Sequence, residues 1–177
     1  MNGVVSDRTP QTLDAAVIVA LGANLPGPYP SCEALLDAAV ARLAQEGMVV
    51  AARSTWWRSA AWPDPAAPPF LNGVAIVQTA LAPQALLARL HAVEAAFGRR
   101  RDVRNAPRTL DLDLIAYGRQ VLTGDGLALP HPRAYERAFV MGPLAQIAPD
   151  WRHPTLNRTA AQLWAEADIG ADARPLA

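Results

Sequence analysis

Leucine and aspartate alternate in the second half of the chain, in the run Arg108-Thr109-Leu110-Asp111-Leu112-Asp113-Leu114. Successive side chains of a β-strand point to opposite faces, so this period of two predicts a strand from Thr109 to Tyr117. The leucines then face a core, and the aspartates face away from it. A chain with this segment must build a sheet that has one apolar face and can carry charge on the other.

Segments with helical and strand periodicity follow one another in the order strand, helix, strand, strand, helix, strand. We predict strands at 15–21, 48–59, 71–79 and 109–117, the second and third of them paired, and helices from the N-cap Ser31 to about Glu46 and from Pro83 to 97. This is the split βαβ order. It predicts an α+β, ferredoxin-like fold, with an antiparallel sheet and helices packed on it in three αβα layers.

The remaining segments carry weaker patterns. Residues 118–122 resemble a hairpin return, 132–147 are helical in composition but interrupted by Gly142-Pro143, and the tail from residue 150 is expected to be a loop with one short helix. A length of 177 residues fits one domain. We therefore expect a loose leader at 1–14 and a single domain at 15–170.

Asp111 and Asp113 stand about 7 Å apart at their Cα atoms if the rise is about 3.3 Å per residue. Two carboxylates at that spacing can share one or two hard cations, and magnesium suits them because it typically takes one or two carboxylates together with phosphate oxygens and water. The alternative is a solvated strand face that carries alternating charge.

All sixteen basic residues are arginine. The absence of lysine excludes a lysine Schiff base, the phosphate-binding loop that needs lysine, and the strand lysine of protein kinases. Five of the arginines lie between residues 99 and 108, immediately before the aspartates, and arginine offers a bidentate fork to phosphate oxygens. Carboxylates beside arginines indicate phosphoryl chemistry on a magnesium nucleotide. For Arg99 and Arg100, a solvated helix end is the alternative.

Charge and hydropathy narrow the partners. The formal net charge is zero and no aromatic residue lies among the arginines between residues 98 and 116, which disfavours nucleic acid. No apolar run is long enough to span a membrane, the N-terminus has no signal-peptide core, and the single Cys32 excludes an internal disulfide. We expect a cytoplasmic protein that binds small molecules but neither nucleic acid nor membrane, and the sequence leaves protein partners open.

Two further features could bind a ligand. His131 lies between Pro130 and Pro132, a rigid setting that suits either a binding role or a structural hydrogen bond. Aromatic residues and one amide bracket a proline-rich loop at 62–69, namely Trp56, Trp57, Trp62, Phe70 and Asn72. A flat heterocycle needs an aromatic face and a polar group at its edge. At least one of the adjacent tryptophans must pack in the core, since neighbouring strand residues face opposite ways.

Together these motifs resemble the 6-hydroxymethyl-7,8-dihydropterin pyrophosphokinase family of the folate pathway (2-amino-4-hydroxy-6-hydroxymethyldihydropteridine diphosphokinase). The resemblance covers about residues 17–150 and is carried by Pro-Arg-Thr-Leu-Asp-Leu-Asp at 107–113, Leu-Gly-Ala-Asn at 21–24, Phe-Leu-Asn at 70–72, Pro-His-Pro at 130–132 and Arg-Ala-Phe at 137–139. It implies a ferredoxin-like fold and transfer of the β,γ-diphosphate of the co-substrate ATP to the hydroxymethyl group of the pterin. The products are AMP and the pterin diphosphate, and two Mg²⁺ ions are expected.

The resemblance also implies residue roles. It assigns Asp111 and Asp113 to the metal; Arg99 and Arg108, with the two aspartates, to catalysis; Arg101, Arg104, Leu114, His131 and Arg137 to ATP; and Ser59, Ala60, Trp62, Phe70, Asn72 and Phe139 to the pterin. The chain departs from the family pattern at three positions. Ala60 stands at a frequent proline, Asn105 stands where a tryptophan often covers the site, and Pro132 replaces an aromatic residue.

Two other functions fit parts of the pattern. A catalytically silent module on the same fold would bind the nucleotide or the pterin, although it would need neither a metal pair nor charge neutralisation. A two-metal phosphodiesterase or nuclease would release product without a pterin acceptor, and the sequence contains no further carboxylate or histidine cluster to complete such a site.

Overall fold

A six-stranded antiparallel sheet forms the centre of the computed structural model, which describes residues 13–61, 63–99 and 109–177. The strands within these ranges are β1 (Val17–Ala23), β2 (Val49–Arg53), β3 (Trp57–Ser59), β4 (Phe70–Gln78), β5 (Asp111–Tyr117), β6 (Leu122–Gly124), β7 (Leu127–Leu129) and β8 (Arg174–Pro175). The sheet has the order β5-β1-β4-β3-β8, and β2 also pairs with β4. Strands β6 and β7 form a separate hairpin.

Four helices cover the two faces of this sheet: α1 (Cys32–Gln45), α2 (Pro83–Ala96), α3 (Ala138–Ile147) and α4 (Ala160–Glu166). Helices α1 and α2 contribute Leu35, Leu36, Leu86 and Leu90 to a first core on one face. Helices α3 and α4 contribute Val140, Met141, Leu144 and Leu163 to a second core on the opposite face. The α+β fold in three layers is therefore confirmed, and the elements follow the predicted order except at the second strand.

Strand β1 supplies both cores because its side chains alternate. Val19 and Leu21 belong to the first core, whereas Ile18 and Ala20 belong to the second. A strand covered on both faces is expected to be apolar throughout, and every residue of β1 is buried. The caps also follow the sequence: the Ser31 side chain accepts a hydrogen bond from the Ala34 N–H at 3.1 Å, and Pro83 is the first residue of α2.

The single strand predicted at 48–59 is wrong, because two strands, β2 and β3, occupy it. The Ser54 side chain accepts a hydrogen bond from the Val74 N–H at 3.0 Å and so replaces a main-chain partner at this point. The next residue but one, Trp56, packs its ring on Gly73, where an added Cβ would lie 2.5 Å from the ring. This contact needs glycine and interrupts the regular ladder.

The hairpin return predicted at 118–122 is also wrong. The turn lies further along, at Gly124-Asp125-Gly126, and joins β6 to β7. All three turn residues have positive φ, at 133°, 51° and 75°. The two glycines adopt positive φ with little conformational strain, and aspartate adopts it more readily than most residues.

The predicted interruption at Gly142-Pro143 is absent from α3, which continues through Pro143 to Ile147. Burial outweighs the lost hydrogen bond here, since seven of its ten residues are buried. The break lies earlier, at Arg137, which separates α3 from a 3-10 turn at Ala134–Glu136.

The tail contains α4, as the predicted short helix requires, and also β8, which no pattern predicted. Strand β8 lies beyond residue 170, the predicted end of the domain, and forms the edge of the sheet beside β3. None of the helices in the described ranges combines the length and the apolar character needed to cross a membrane.

Candidate active site

A cavity of about 650 Å³ opens beside the centre of the sheet, between the loop that follows β3 and the start of α3. Eight residues expected at the site line it: Ser59, Ala60, Phe70, Asn72, Asp111, Asp113, Arg137 and Phe139. Strands β1, β3, β4 and β5 therefore bring together residues that are far apart in the sequence.

The register of three strands sets the floor of this cavity. Asp111 of β5 lies opposite Gly22 of β1, and Gly22 lies opposite Asn72 of β4. Side chains in one row of a sheet share a face, so Asp111 and Asn72 flank a position that has no side chain. A Cβ at Gly22 would lie 3.4 Å from the Asn72 Oδ1 atom. Glycine thus leaves open space between the carboxylate and the amide.

The two aspartates form an electronegative pair at one end of the cavity. Burial, followed by the charge of Asp111, raises the pKa of Asp113 to about 6, although the charge of Arg137 opposes the shift. A bound cation would relieve this repulsion, so the donor set fits magnesium. Among the described residues there is no cluster of three or more histidine, cysteine or acidic side chains. Remaining ligands would have to come from substrate phosphates and water, as magnesium sites commonly arrange.

Arg99 and Glu94 support the aspartates from the first core. The Arg99 guanidinium contacts the carboxylates of both Glu94 and Asp111. Glu94 is only 1% exposed, and its Oε1 atom also accepts a hydrogen bond from the Leu112 N–H at 2.7 Å. Burial lowers the pKa of Arg99, but the charges of Asp111 and Glu94 outweigh it and raise the pKa, so the cation is retained.

Sequence reasoning missed Glu94, although a signal was present. Helix α2 buries Leu86, Leu90 and Val93, and Glu94 lies four residues after Leu90 on the same side. An acidic residue on the core-facing stripe of a helix indicates a buried partner, because a lone buried charge is too costly.

His131 lies close to the charged end of the site. Its main-chain N–H donates to the Ile115 carbonyl at 2.8 Å, which joins this segment to β5. Burial, followed by the charge of Arg137, lowers the pKa of His131. Its Nδ1 atom accepts a hydrogen bond from the Arg133 N–H at 3.2 Å, which places the ring proton of the neutral form on Nε2. Arg133, two residues after His131, lines the cavity.

The opposite wall carries a buried polar pair. The Asn72 side-chain amide donates a hydrogen bond to the Ser59 hydroxyl at 2.9 Å, and both residues are buried. Trp56 and Trp57 pack in apolar clusters on opposite sides of the sheet. The expectation that at least one of them packs in the core is therefore confirmed, and in fact both do. Their indole N–H groups donate to Asp37 and Gln146, both at 3.1 Å.

The other expected site residues fall into two groups. The Leu114 side chain is 3% exposed and packs in the first core, so only its main chain is available to a ligand. Trp62, Arg101, Arg104 and Arg108 lie outside the described residues, and so does most of the leader. Arg133, Val140 and Ile169 line the cavity without having been assigned to it.

Comparison with known proteins identifies the family to which the chain is similar. Residues 18–149 match the family model described as 7,8-dihydro-6-hydroxymethylpterin-pyrophosphokinase (HPPK). The 2-amino-4-hydroxy-6-hydroxymethyldihydropteridine pyrophosphokinase of Synechocystis sp. is 43% identical over 92% of this chain and 80% of its own length. The protein of the same name from Pseudomonas aeruginosa is 46% identical over 78% of this chain and 83% of its own length.

Solved structures resemble the fold. The crystal structure of Plasmodium falciparum HPPK-DHPS wild type with pteroate has a TM-score of 0.69 over 85% of this chain, at 11% sequence identity. This chain covers 44% of that longer chain. At this level of identity the likeness concerns the fold alone.

Proposed function

This chain belongs to the 7,8-dihydro-6-hydroxymethylpterin-pyrophosphokinase family, and from that premise we propose which of its residues carry out the reaction. It is a pyrophosphokinase of folate biosynthesis that transfers diphosphate from ATP to the hydroxymethyl group of 6-hydroxymethyl-7,8-dihydropterin. The observation that carries the assignment of residues is the row Asp111–Gly22–Asn72, which puts a carboxylate and a buried amide on one cavity floor.

The pterin occupies the wall formed by Ser59, Ala60, Phe70, Asn72 and Phe139, and Trp62 contributes from outside the described residues. Buried polar groups at the edge of a flat ring give specificity, because an analogue without the matching group would leave them unpaired. Asn72 and Ser59 are such groups, held in place by their mutual hydrogen bond.

ATP lies at the charged end with its phosphates beside Asp111 and Asp113. The two aspartates would hold two magnesium ions, which would neutralise charge on the diphosphate and orient it. Arg99 adds a cation at this point, fixed by Glu94 and Asp111. Arg101, Arg104 and Arg108 are assigned to the phosphates by their positions in the family motif. Arg137 and the Nε2–H group of His131 act on the nucleotide side, and Leu114 acts there through its main chain.

The residues of this chain act mainly by positioning and by electrostatics, as is usual for phosphoryl-type transfer. The hydroxymethyl oxygen attacks the β-phosphorus, the bond from that phosphorus to the α,β-bridging oxygen breaks, and AMP leaves. The hydroxyl proton must be lost in the process. Asp111 is the candidate acceptor among the residues that line the cavity, since it lies at the end where the phosphates are placed.

A coupled assay for AMP tests this assignment. We expect AMP to form from ATP only when both Mg²⁺ and the hydroxymethyl pterin are present, and to stop when the metal is chelated. Tight ATP binding without AMP would instead support a silent binding module. Release of AMP or phosphate without the pterin would support a hydrolase.

Replacing Asn72 by alanine tests the pterin wall. Loss of a buried hydrogen-bonding group should raise the KM for the pterin by about 10- to 100-fold, because the partner group on the ligand loses its match. The KM for ATP should stay within about twofold, and steady-state kinetics with each substrate varied in turn measures both. Exposed Gln120→Ala is the matched control and should change neither constant. An increase confined to the KM for ATP would contradict the pterin assignment.

We further propose that the protein acts in the cytoplasm on small molecules and does not bind nucleic acid. Cys32 is a free thiol, which suits a reducing compartment, and the zero net charge does not favour a nucleic-acid partner.

A further inference from the structure

The last eleven residues, 167–177, lie well beyond residue 149, where the match to the family ends, and we call them the C-terminal strap. At one end the strap is fastened to the start of α3. The Ile169 carbonyl accepts a hydrogen bond from the Ala138 N–H at 2.8 Å, and the Ile169 N–H donates to the Glu136 carbonyl at 3.1 Å. Ile169 also lines the cavity.

At its other end the strap is part of the central sheet. Arg174 and Pro175 form β8, which pairs with β3, and the Leu176 N–H donates to the Trp56 carbonyl at 2.8 Å. Ala173 is 2% exposed and packs against Trp57. The strap therefore joins two walls of the cavity that are otherwise on different elements.

Between these ends the strap contacts the loop after β3 directly. The Asp172 Oδ2 atom accepts a hydrogen bond from the Ala60 N–H at 2.6 Å. Ala60 lines the cavity and follows Ser59. This hydrogen bond ties the main chain of the loop to the strap at a residue that lines the cavity.

The strap also supports the facing wall. Gly170 has a φ of 69°, and a Cβ added there would lie 2.5 Å from the Phe139 Cδ1 atom. The Phe139 ring therefore rests on the strap itself, and only glycine permits this approach.

We propose that Asp172 is a positioning residue, which holds the loop at Ala60 in the conformation that receives the pterin. The hydrogen bond to the carboxylate restrains the main chain of the loop at Ala60. Without this hydrogen bond, the loop must become ordered when the substrate binds. The apparent affinity for the pterin then falls in proportion to the fraction of molecules whose loop is already in the binding conformation. This inference rests on the proposed placement of the pterin against Ser59 and Ala60.

Steady-state kinetics of the full chain test the role of Asp172. We expect Asp172→Ala to raise the KM for the pterin by about threefold to tenfold, the range of one charge-assisted hydrogen bond at a partly solvated site. The kcat and the KM for ATP should stay within about twofold. Asp172→Asn keeps an acceptor oxygen and should recover most of the affinity, while exposed Asp168→Ala in the same strap is the matched control.

Two further measurements separate positioning from a general loss of structure. The Ala60 amide should exchange its hydrogen several-fold faster in Asp172→Ala than in the unmodified protein or in Asp168→Ala, as followed by NMR. In an Ala60→Pro background, which lacks the donor, Asp172→Ala should cause no further change in KM. If Ala60→Pro does not fold, the amide exchange of the single variants decides.

The possible failures are distinguishable. An unchanged KM for the pterin in Asp172→Ala, with AMP formation intact, would overturn the role of Asp172 and leave the proposed function standing. A rise in the KM for ATP alone would overturn both this inference and the pterin placement on which it rests.

Discussion

Replacement of Asp113 by asparagine should abolish turnover and at the same time make the metal-free protein more stable at pH 7.5. Asparagine keeps the size of the side chain but removes a charge that the proposed magnesium site needs. Metal coordination contributes several kcal/mol to transition states of this kind, so we expect kcat to fall by about 1,000-fold or more.

The gain in stability follows from the sign of the pKa shift. Burial and the charge of Asp111 raise the pKa of Asp113 from 3.8 to about 6 in the folded state. Between these values the folded protein binds more protons than the unfolded chain, so the free energy of unfolding falls as the pH rises through this window. Above pH 6 the ionised Asp113 destabilises the metal-free fold, by about 1–3 kcal/mol at 1.36 kcal/mol per pKa unit.

Thermal unfolding of metal-free protein across pH 3.5–8 measures this effect. The Tm of Asp113→Asn should exceed that of the unmodified protein by about 3–8 °C above pH 6, and the difference should vanish near pH 4. Adding Mg²⁺ with ATP should stabilise the unmodified protein and leave the variant unchanged, since only the former has the complete pair.

Asp150→Asn is the matched control, because this carboxylate is exposed and follows the end of α3. It should alter neither kcat nor the pH dependence of the Tm. Activity in Asp113→Asn within about tenfold of the unmodified protein would remove Asp113 from the metal site. An unchanged Tm at pH 7.5 would show that burial and the charge of Asp111 together do not destabilise the ionised Asp113 in the folded state.

Local periodicity was enough to predict β5 and the side on which its aspartates lie. Leu112 and Leu114 alternate with Asp111 and Asp113, so a run of seven residues is enough to predict the strand and the face on which each side chain lies. Local periodicity does not predict that Asn72 lies in the same row of the sheet as Asp111. That placement depends on the long-range pairing of β4 and β5 with the two sides of β1. The family resemblance supplied Asn72, whereas periodicity alone would not have brought the two together.

The C-terminal strap and helix α3 show where local sequence patterns fail to predict the structure. The stretch Gly170-Ala171-Asp172-Ala173 has no periodic pattern of apolar residues. Nothing in the local sequence therefore predicts that it leads into the edge strand β8, or that Asp172 accepts a hydrogen bond from the Ala60 N–H. Pro143 predicts a break in α3, but burial on the sheet holds the helix together through it. In both cases long-range packing decides the structure, and local propensity contributes only a minor term.

Replacement of Glu94 by alanine should strongly destabilise the fold and impair the charged end of the site. The variant leaves the buried Leu112 N–H without its acceptor and removes one of the two carboxylates that hold Arg99. Removing one partner of a buried, hydrogen-bonded charge pair typically costs about 3–5 kcal/mol, and the partial exposure of Arg99 moderates this to about 2–4 kcal/mol. For a chain of this size the Tm should fall by about 5–15 °C.

Glu94→Gln separates the two roles of the carboxylate. The amide oxygen still accepts from the Leu112 N–H, so most of the stability should remain. The guanidinium of Arg99 loses a charged partner, however, and its position beside Asp111 should loosen. We therefore expect kcat to fall by about tenfold while the Tm drops by only a few degrees, as measured by AMP formation and by thermal unfolding.

A surface ion pair provides the control for both variants. Glu166 pairs with Arg158 at an exposed site, where water screens the two charges and such a pair contributes little to stability. Glu166→Ala should therefore shift the Tm by no more than a few degrees and leave kcat unchanged. Equal losses in Glu94→Ala and Glu166→Ala would contradict the buried role of Glu94. A Glu94→Gln variant with full kcat would show that Asp111 alone is enough to place Arg99 for the transfer.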